Sequence, residues 1–392
     1  MPIPKHILPI IVVSQFCCTS LWFAGNGVIN DLISSFHLES NALGHLTTSV
    51  QVGFIVGTLV FSLLTIADRF SPSKVFLISA LLGAALNLGV IYEKNTLLSL
   101  IVFRTLTGFF LAGIYPVGMK IAADYYEKGL GKSLGFLVGA LVLGTAFPHL
   151  LKEISHSFEW QSVITTTSVL STAGGLLMFF FVPNGPFRKP SQKLDFKAIT
   201  KIFQNKKFKS SAIGYFGHMW ELYAFWAFVP LMLSTYNQYH NNELKNIALL
   251  SFLIIAIGSL SCIIGGYISV SIGAKKTAYF SLLLSGLCCI LSPLVFTMAP
   301  TPLFIAFLFF WSFTVIADSP MLSTLVAQNS TPEFKGTALT IVTYIGYFIS
   351  TLSIQLINEI QHSVDLNFIF LVLAIGPIIG IIALSQKTKL VH

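Results

Sequence analysis

Four ionisable side chains stand inside long apolar runs of this chain: Arg104, His218, Glu221 and Asp318. A charge in a hydrocarbon-like setting is costly, so it survives where it meets a partner or a water-filled cavity, and it marks a functional site. The most informative stretch reads Gly217-His218-Met219-Trp220-Glu221-Leu222-Tyr223. On a helix His218 and Glu221, three residues apart, share one face, which Tyr215 extends. A sheltered carboxyl and an imidazole can both exchange protons near neutral pH. The expected chemistry is a proton relay in which Glu221 carries the proton and His218 tunes it. The competing reading is a hydrogen-bonded pair that only holds the helix in place.

Asp318 lies in Ile316-Ala317-Asp318-Ser319-Pro320. Pro320 has no amide hydrogen, which frees a carbonyl and bends the run. A carboxylate at that bend is expected to gate or to couple, or else to cap the bend. Arg104 has two readings. Its planar fork suits a carboxylate or phosphate on a substrate, or it serves as a permanent counter-ion for Asp318 or Glu221. Met219 beside His218 makes a poor metal site, because no cysteine or second histidine is placed to complete it. Neither a metal nor a cofactor is expected.

The elements that must position these groups follow from composition. The chain has 392 residues, 54% hydrophobic and only 10% charged, with mean hydropathy +0.80. A soluble domain is charged at roughly a quarter of its positions. Crossing a bilayer takes about 20 apolar residues of helix. Such stretches fall at 8–34, 42–67, 75–92, 97–122, 133–152 and 160–182, then at 210–234, 246–271, 276–298, 302–328, 336–360 and 365–385. Continuous apolar runs of this kind exclude a β-barrel, whose strands alternate. Lys5 precedes the first run as in a signal peptide, but no small-residue cleavage site follows, so an uncleaved first helix is expected. Cys17, Cys18, Cys262, Cys288 and Cys289 all fall in spans and read as packing residues. Lys120, Asp31 and His149 lie near span ends, where side chains can reach water.

With both termini in the cytoplasm, only Lys94, Lys152 and Lys245 of the 23 Lys and Arg fall outside, and Arg104 lies within a span. That bias supports the orientation. It also accounts for the net charge of +8 without nucleic acid. Residues 183–209 carry Pro183, Pro186 and Pro190 and then a basic stretch, dividing the chain into halves at 1–182 and 210–392. Asp195 through Phe208 reads either as a basic amphipathic helix on anionic lipid or as a solvated linker. Gly53/Gly57, Gly135/Gly139 and Gly376/Gly380 have the spacing of helix-packing pairs.

The loop after the second span, Asp68-Arg69-Phe70-Ser71-Pro72-Ser73-Lys74, resembles the G-x-x-x-D-R-x-G-R-K signature of the major facilitator superfamily. Leu64 and Ser71 replace its glycines. The matching loop of the second half, Gly266 to Lys275, keeps glycines and a lysine but has Val270 at the aspartate position. Arg104-Thr105-Leu106-Thr107-Gly108 is similar to the family's R-x-x-x-G. The resemblance implies an all-α membrane protein of twelve transmembrane helices in two pseudo-symmetric six-helix bundles. It also implies a monomer that works by alternating access on a small-molecule substrate, not an enzyme. In that family spans 1, 4, 7 and 10 line the central cavity. Buried charges fall on three of these, and the first contributes Asn26 and Asn30. Asn26, Asn30, Arg104, Tyr215, Trp220 and Tyr223 are therefore the expected cavity residues. His218, Glu221 and Asp318 are expected to couple protons, and Asp68, Arg69, Lys74 and Pro320 to gate. Asp68 would latch onto the start of the eleventh helix, from Gly336 onward, where the helix dipole attracts a carboxylate.

Two departures lower particular substrate classes. The fifth span lacks the Gly-Pro pair of drug/proton antiporters, and spans 2 and 8 lack the arginine of nitrate transporters. The reading is a proton-coupled secondary transporter of a small polar or amphipathic organic solute, with protons and membrane lipids as its other partners. An exporter of drugs or metal chelates, a channel, and a non-transporting receptor on the same fold are the rivals. No phosphate-binding loop or catalytic motif appears. If the orientation is right, a Lys193→Cys variant reacts with a membrane-impermeant maleimide from the cytoplasmic side only. Labelling from outside in intact cells reverses the topology.

Overall fold

Peptide groups find no water in hydrocarbon, so a chain this apolar satisfies them along helices. The computed structural model describes residues 4–126, 130–154, 159–188, 202–241, 244–330 and 335–386, without the side chains of residues 68, 130–132, 335 and 336. No strand occurs among them. The first half contains α1 (Ile7–Thr19), α2 (Ala24–Gly27), α3 (Ile29–Phe36), α4 (Ala42–Leu63), α5 (Ile66–Arg69), α6 (Pro72–Leu88), α7 (Leu97–Leu111), α8 (Tyr115–Tyr125), α9 (Leu130–Ile154) and α10 (Gln161–Phe181). The second contains α11 (Lys206–His240), α12 (Ile247–Ile272), α13 (Ala274–Met298), α14 (Thr301–Ala317), α15 (Ser319–Asn329), α16 (Lys335–Ile360) and α17 (Ile375–Ser385), the last preceded by a 3₁₀ segment at Ile369–Ala374.

Among the described residues, nine helices are long and apolar enough to cross a membrane. Ile7–Thr19 and Ile369–Ser385 are shorter apolar helices, and the polar-interrupted α11 runs for 35 residues. Among the described residues each expected span is thus helical, either as one helix or, as in the first with α1, α2 and α3, as a broken series. The amphipathic helix expected from Asp195 lies mostly outside the described residues. Its last residues belong instead to α11, where the Asn205 side chain caps the amides of Lys207 and Phe208.

The chain forms two compact units. One comprises Met1–Ser191 with Ala248–Ser259, the other Gln192–Ile247 with Leu260–His392.

Three breaks shape the spans. In the first, Thr19 Oγ1 bonds back to the Gln15 carbonyl and Ser20 Oγ to that of Cys17. Such back-bonding bends helices, and the chain leaves the helix between Thr19 and Ala24. Pro116 near the start of α8 and Pro320 near the start of α15 cannot donate to the preceding turn, so the fourth and tenth spans also break. Asp318 occupies the tenth-span break, as expected from Pro320.

Glycines set the tightest crossings. Within the first unit a Cβ on Gly53 would lie 1.8 Å from the Thr105 carbonyl oxygen, and one on Gly108 would lie 2.0 Å from that of Val50. In the second unit Gly217 and Gly376 face each other's carbonyls at 2.2 and 2.3 Å on the same measure. Gly135 differs from the expectation: nothing lies within 4 Å of its missing Cβ. The contrast sets a test. Gly53→Ala should lower stability by about 1–3 kcal/mol, the usual cost of overpacking a rigid neighbour, whereas Gly135→Ala should leave the thermal midpoint of purified protein unchanged.

Candidate functional site

Three buried polar constellations hold Arg104, Glu221 and the His218–Asp318 pair, one in the first unit and two in the second. In the first unit, Arg104 on α7 is 1% exposed. Its Nη2 donates to the carbonyls of Leu21 and Trp22 at the break in the first span, where the Leu21 carbonyl has only a 3.5 Å bond from the Ala24 amide, and its Nη1 donates to Asn87 Oδ1 at 3.0 Å. Asn87 Nδ2 in turn reaches the Ile164 carbonyl, Thr167 Oγ1 and Ser168 Oγ on α10. The guanidinium therefore clamps three elements around one bend. Of the two readings of Arg104, neither describes this geometry: its terminal donors go to carbonyls and an amide.

Asn26 is buried and donates to Thr47 Oγ1 at 2.8 Å, tying α2 to α4. Asn30 is exposed. The residues expected to reach water from span ends behave differently from one another. Lys152 pairs with Asp31 at 2.8 Å and Lys120 stands 3.9 Å from Asp124. His149 is 2% exposed, buried and not snorkelling.

In the second unit His218 and Glu221 do share a face of α11, yet they engage different partners. His218 Nδ1 lies 2.8 Å from Asp318 Oδ1, with both side chains at most 1% exposed. The contact is off-line for a hydrogen bond, and His218 Nε2 has no hydrogen-bond partner among the described residues. The Tyr215 ring packs 6.0 Å from the imidazole.

Glu221 is bound on both oxygens. Oε1 accepts from Trp311 Nε1 at 2.7 Å and from Cys289 Sγ at 3.2 Å, while Oε2 accepts from Ser285 Oγ at 2.9 Å. All three donors are buried. Charge-assisted bonds of this kind are the stronger class, and they join α11 to α13 and α14. His218 is thus paired with Asp318, and the expected tuning of Glu221 by its helical neighbour gives way to that pairing.

The remaining aromatic candidates bind helices together. Tyr223 and Tyr347 share a hydroxyl contact of 2.7 Å, and Trp220 Nε1 donates to the Val372 carbonyl at 3.0 Å. Of the expected gate, Arg69 and Lys74 are exposed, Asp68 belongs to the single-turn α5, and its side chain lies outside the described residues. Among the described residues no group of three or more His, Cys, Asp or Glu could hold a metal ion. Sequence reasoning missed Asn87, Ser285, Cys289 and Trp311. Asn87 was visible as an amide inside an apolar span, and Ser285 and Cys289 as small polar groups four apart, facing one way on a helix.

The comparisons now bear on this arrangement. The family model described as Major Facilitator Superfamily matches residues 11–354. The chain belongs to the major facilitator superfamily. It is therefore a multi-pass membrane protein of a transporter family, not an enzyme family.

Solved major facilitator structures share its fold. A human organic anion transporter superposes with TM-score 0.74 at 14% identity, covering 98% of this chain and all of the other. A proton:xylose symporter does so with TM-score 0.74 at 12% identity over 96% of this chain and 94% of its own. A nucleoside transporter gives TM-score 0.74 at 16% identity over 97% and 98%. At these identities the likeness is one of fold. Comparison with curated proteins gives no match.

For Arg104 the clamp has a measurable consequence. Arg104→Lys keeps the charge but loses the fork, orphaning at least one carbonyl at about 1–3 kcal/mol each. Thermal unfolding of the purified variant should show that loss, and an unchanged midpoint would refute the clamp.

Proposed function

We propose that this major facilitator protein is a proton-coupled secondary transporter of a small polar or amphipathic organic solute. It lies in the cytoplasmic (inner) membrane with both termini cytoplasmic, as the distribution of Lys and Arg supports. The halves 1–182 and 210–385 rock about a midplane substrate site, the mode of motion expected of paired repeats. The solute class draws on the relatives, whose descriptions name an organic anion, a xylose and a nucleoside transporter.

The observation that carries coupling is the His218–Asp318 pair at the broken tenth span. With one proton between the two atoms and Nε2 bare, the pair carries one negative charge. A second proton on Nε2 makes it neutral overall, as imidazolium and carboxylate. Such a change in a water-poor setting alters which state of the carrier is tolerated, and Asp318 stands where the helix is already bent. Glu221, whose three donors tie α11 to α13 and α14, serves as an anchor.

Substrate comes first in the test. A thermal-shift panel of monosaccharides, nucleosides and organic anions on purified protein identifies a ligand by its stabilisation, about 2.7 kcal/mol at a concentration one hundred times Kd. Proteoliposomes with that ligand and an imposed proton gradient then separate the residues. Asp318→Asn should retain binding but fail to accumulate substrate, while Glu221→Gln should accumulate it and unfold at lower temperature. The opposite pattern makes Glu221 the carrier. If both variants accumulate substrate like the parent, neither carboxylate couples protons.

A further inference from the structure

The residues that follow α10 are bonded to the signature loop and to the end of α8 at nearly every step. The Val182 carbonyl accepts from Ser73 Oγ at 2.6 Å, and the Pro183 carbonyl accepts from Tyr125 OH at 2.6 Å. Asn184 Oδ1 accepts from Ser71 Oγ at 2.9 Å. Gly185 lies so close that a Cβ would stand 2.4 Å from the Asp124 carbonyl oxygen, which also accepts from the Phe187 amide at 2.9 Å. Arg188 Nη2 donates to the Phe70 carbonyl at 2.9 Å. Five bonds over seven residues is dense for a segment outside regular structure, whose polar groups usually face water.

The loop they hold is itself in an unfavourable conformation. Thr65 has φ 49°, a left-handed backbone that a β-branched residue rarely adopts. It starts the single turn Ile66–Arg69 that carries Asp68, after which Phe70 is fully extended. Strained backbone of this sort persists where its surroundings hold it, and residues 182–188 fasten the chain just after this turn, at Phe70, Ser71 and Ser73.

We propose that residues 182–188 are a strap that holds the signature loop in its working conformation, with Tyr125, Ser73 and Arg188 as positioning residues for the gate. The gating role of Asp68 is the expectation that the family resemblance implies for a transporter of this kind, and the strap's effect on the gate rests on it. The strap makes the start of the basic linker part of the gating machinery instead of a passive tether. It also assigns a purpose to Ser71 and Ser73, two positions where this chain departs from the family signature or flanks that departure: their hydroxyls are the points of attachment.

Two measurements on full-length protein in lipid nanodiscs test this. The first is hydrogen–deuterium exchange across 66–74 in the triple variant Tyr125→Phe, Ser73→Ala, Arg188→Gln. Losing three bonds should speed exchange there about tenfold or more, with no change in peptides of the second unit. Unchanged exchange across 66–74 overturns the strap. An equal rise in exchange across both units also overturns it, because the residues would then be merely structural.

The second is the distribution of spin-label distances between the cytoplasmic ends of the two halves. Asp68→Asn and the triple variant should shift it in the same direction, and their combination no farther than either alone. If Asp68→Asn shifts the distances and the triple variant does not, the strap's positioning role is wrong. If exchange rises but Asp68→Asn moves nothing, the gating of Asp68 fails while the strap stands as the holder of the loop.

Discussion

A carbonyl released from its helix inside hydrocarbon must find a donor, because water is absent. Much of this molecule follows from how that demand is met at the broken spans. At the first, two freed carbonyls are collected by one guanidinium, and the same group reaches Asn87 and through it α10. The bend thereby becomes a junction of three elements. At the tenth, Pro320 creates the break and Asp318 occupies it, so the irregular backbone carries a carboxylate. Where the helix is interrupted, the chain has placed its charges.

The buried charges differ in how fully they are satisfied, and this separates their chemistry. Arg104 meets three acceptors through its terminal nitrogens, and Glu221 meets three donors through its two oxygens. Each of those bonds joins neighbouring spans, so losing one leaves a buried group unsatisfied. In the His218–Asp318 contact neither ring nitrogen has a hydrogen-bond partner among the described residues. A group that can gain a proton without losing a partner is the better place for exchange. On the proposed reading, saturation more than burial separates the anchor Glu221 from the coupling pair His218–Asp318.

Close approach of backbones gives these networks their rigidity. Gly53 and Gly108 bring α4 and α7 together so that Arg104 is held on a fixed rail, and Gly217 with Gly376 does the same one residue from His218. Without such crossings the polar contacts would span larger gaps and weaken. Hydrocarbon provides little drive for helices to associate, so small residues and interhelical hydrogen bonds do that work.

The amino-acid sequence by itself determined twelve helical passes, their approximate ends and the break at Asp318. Each of these depends on local properties: apolar length against bilayer thickness, and the missing amide of Pro320. It also marked which ionisable residues lie in spans, because a charge in an apolar run is conspicuous. Partnership was beyond it. His218 and Glu221 are neighbours on one helical face, yet one turns to Asp318 on the tenth span and the other to Trp311, Ser285 and Cys289. Helical spacing specifies a direction around one axis, and what stands in that direction depends on the neighbouring helices. The clamp of Arg104 on the Leu21 and Trp22 carbonyls and the strap at 182–188 have the same origin. Their acceptors are mostly backbone carbonyls, which every residue carries, so no residue type announces them. Only the tertiary structure, by bringing residues separated by 58 to 118 positions into contact, decided which of those carbonyls would matter.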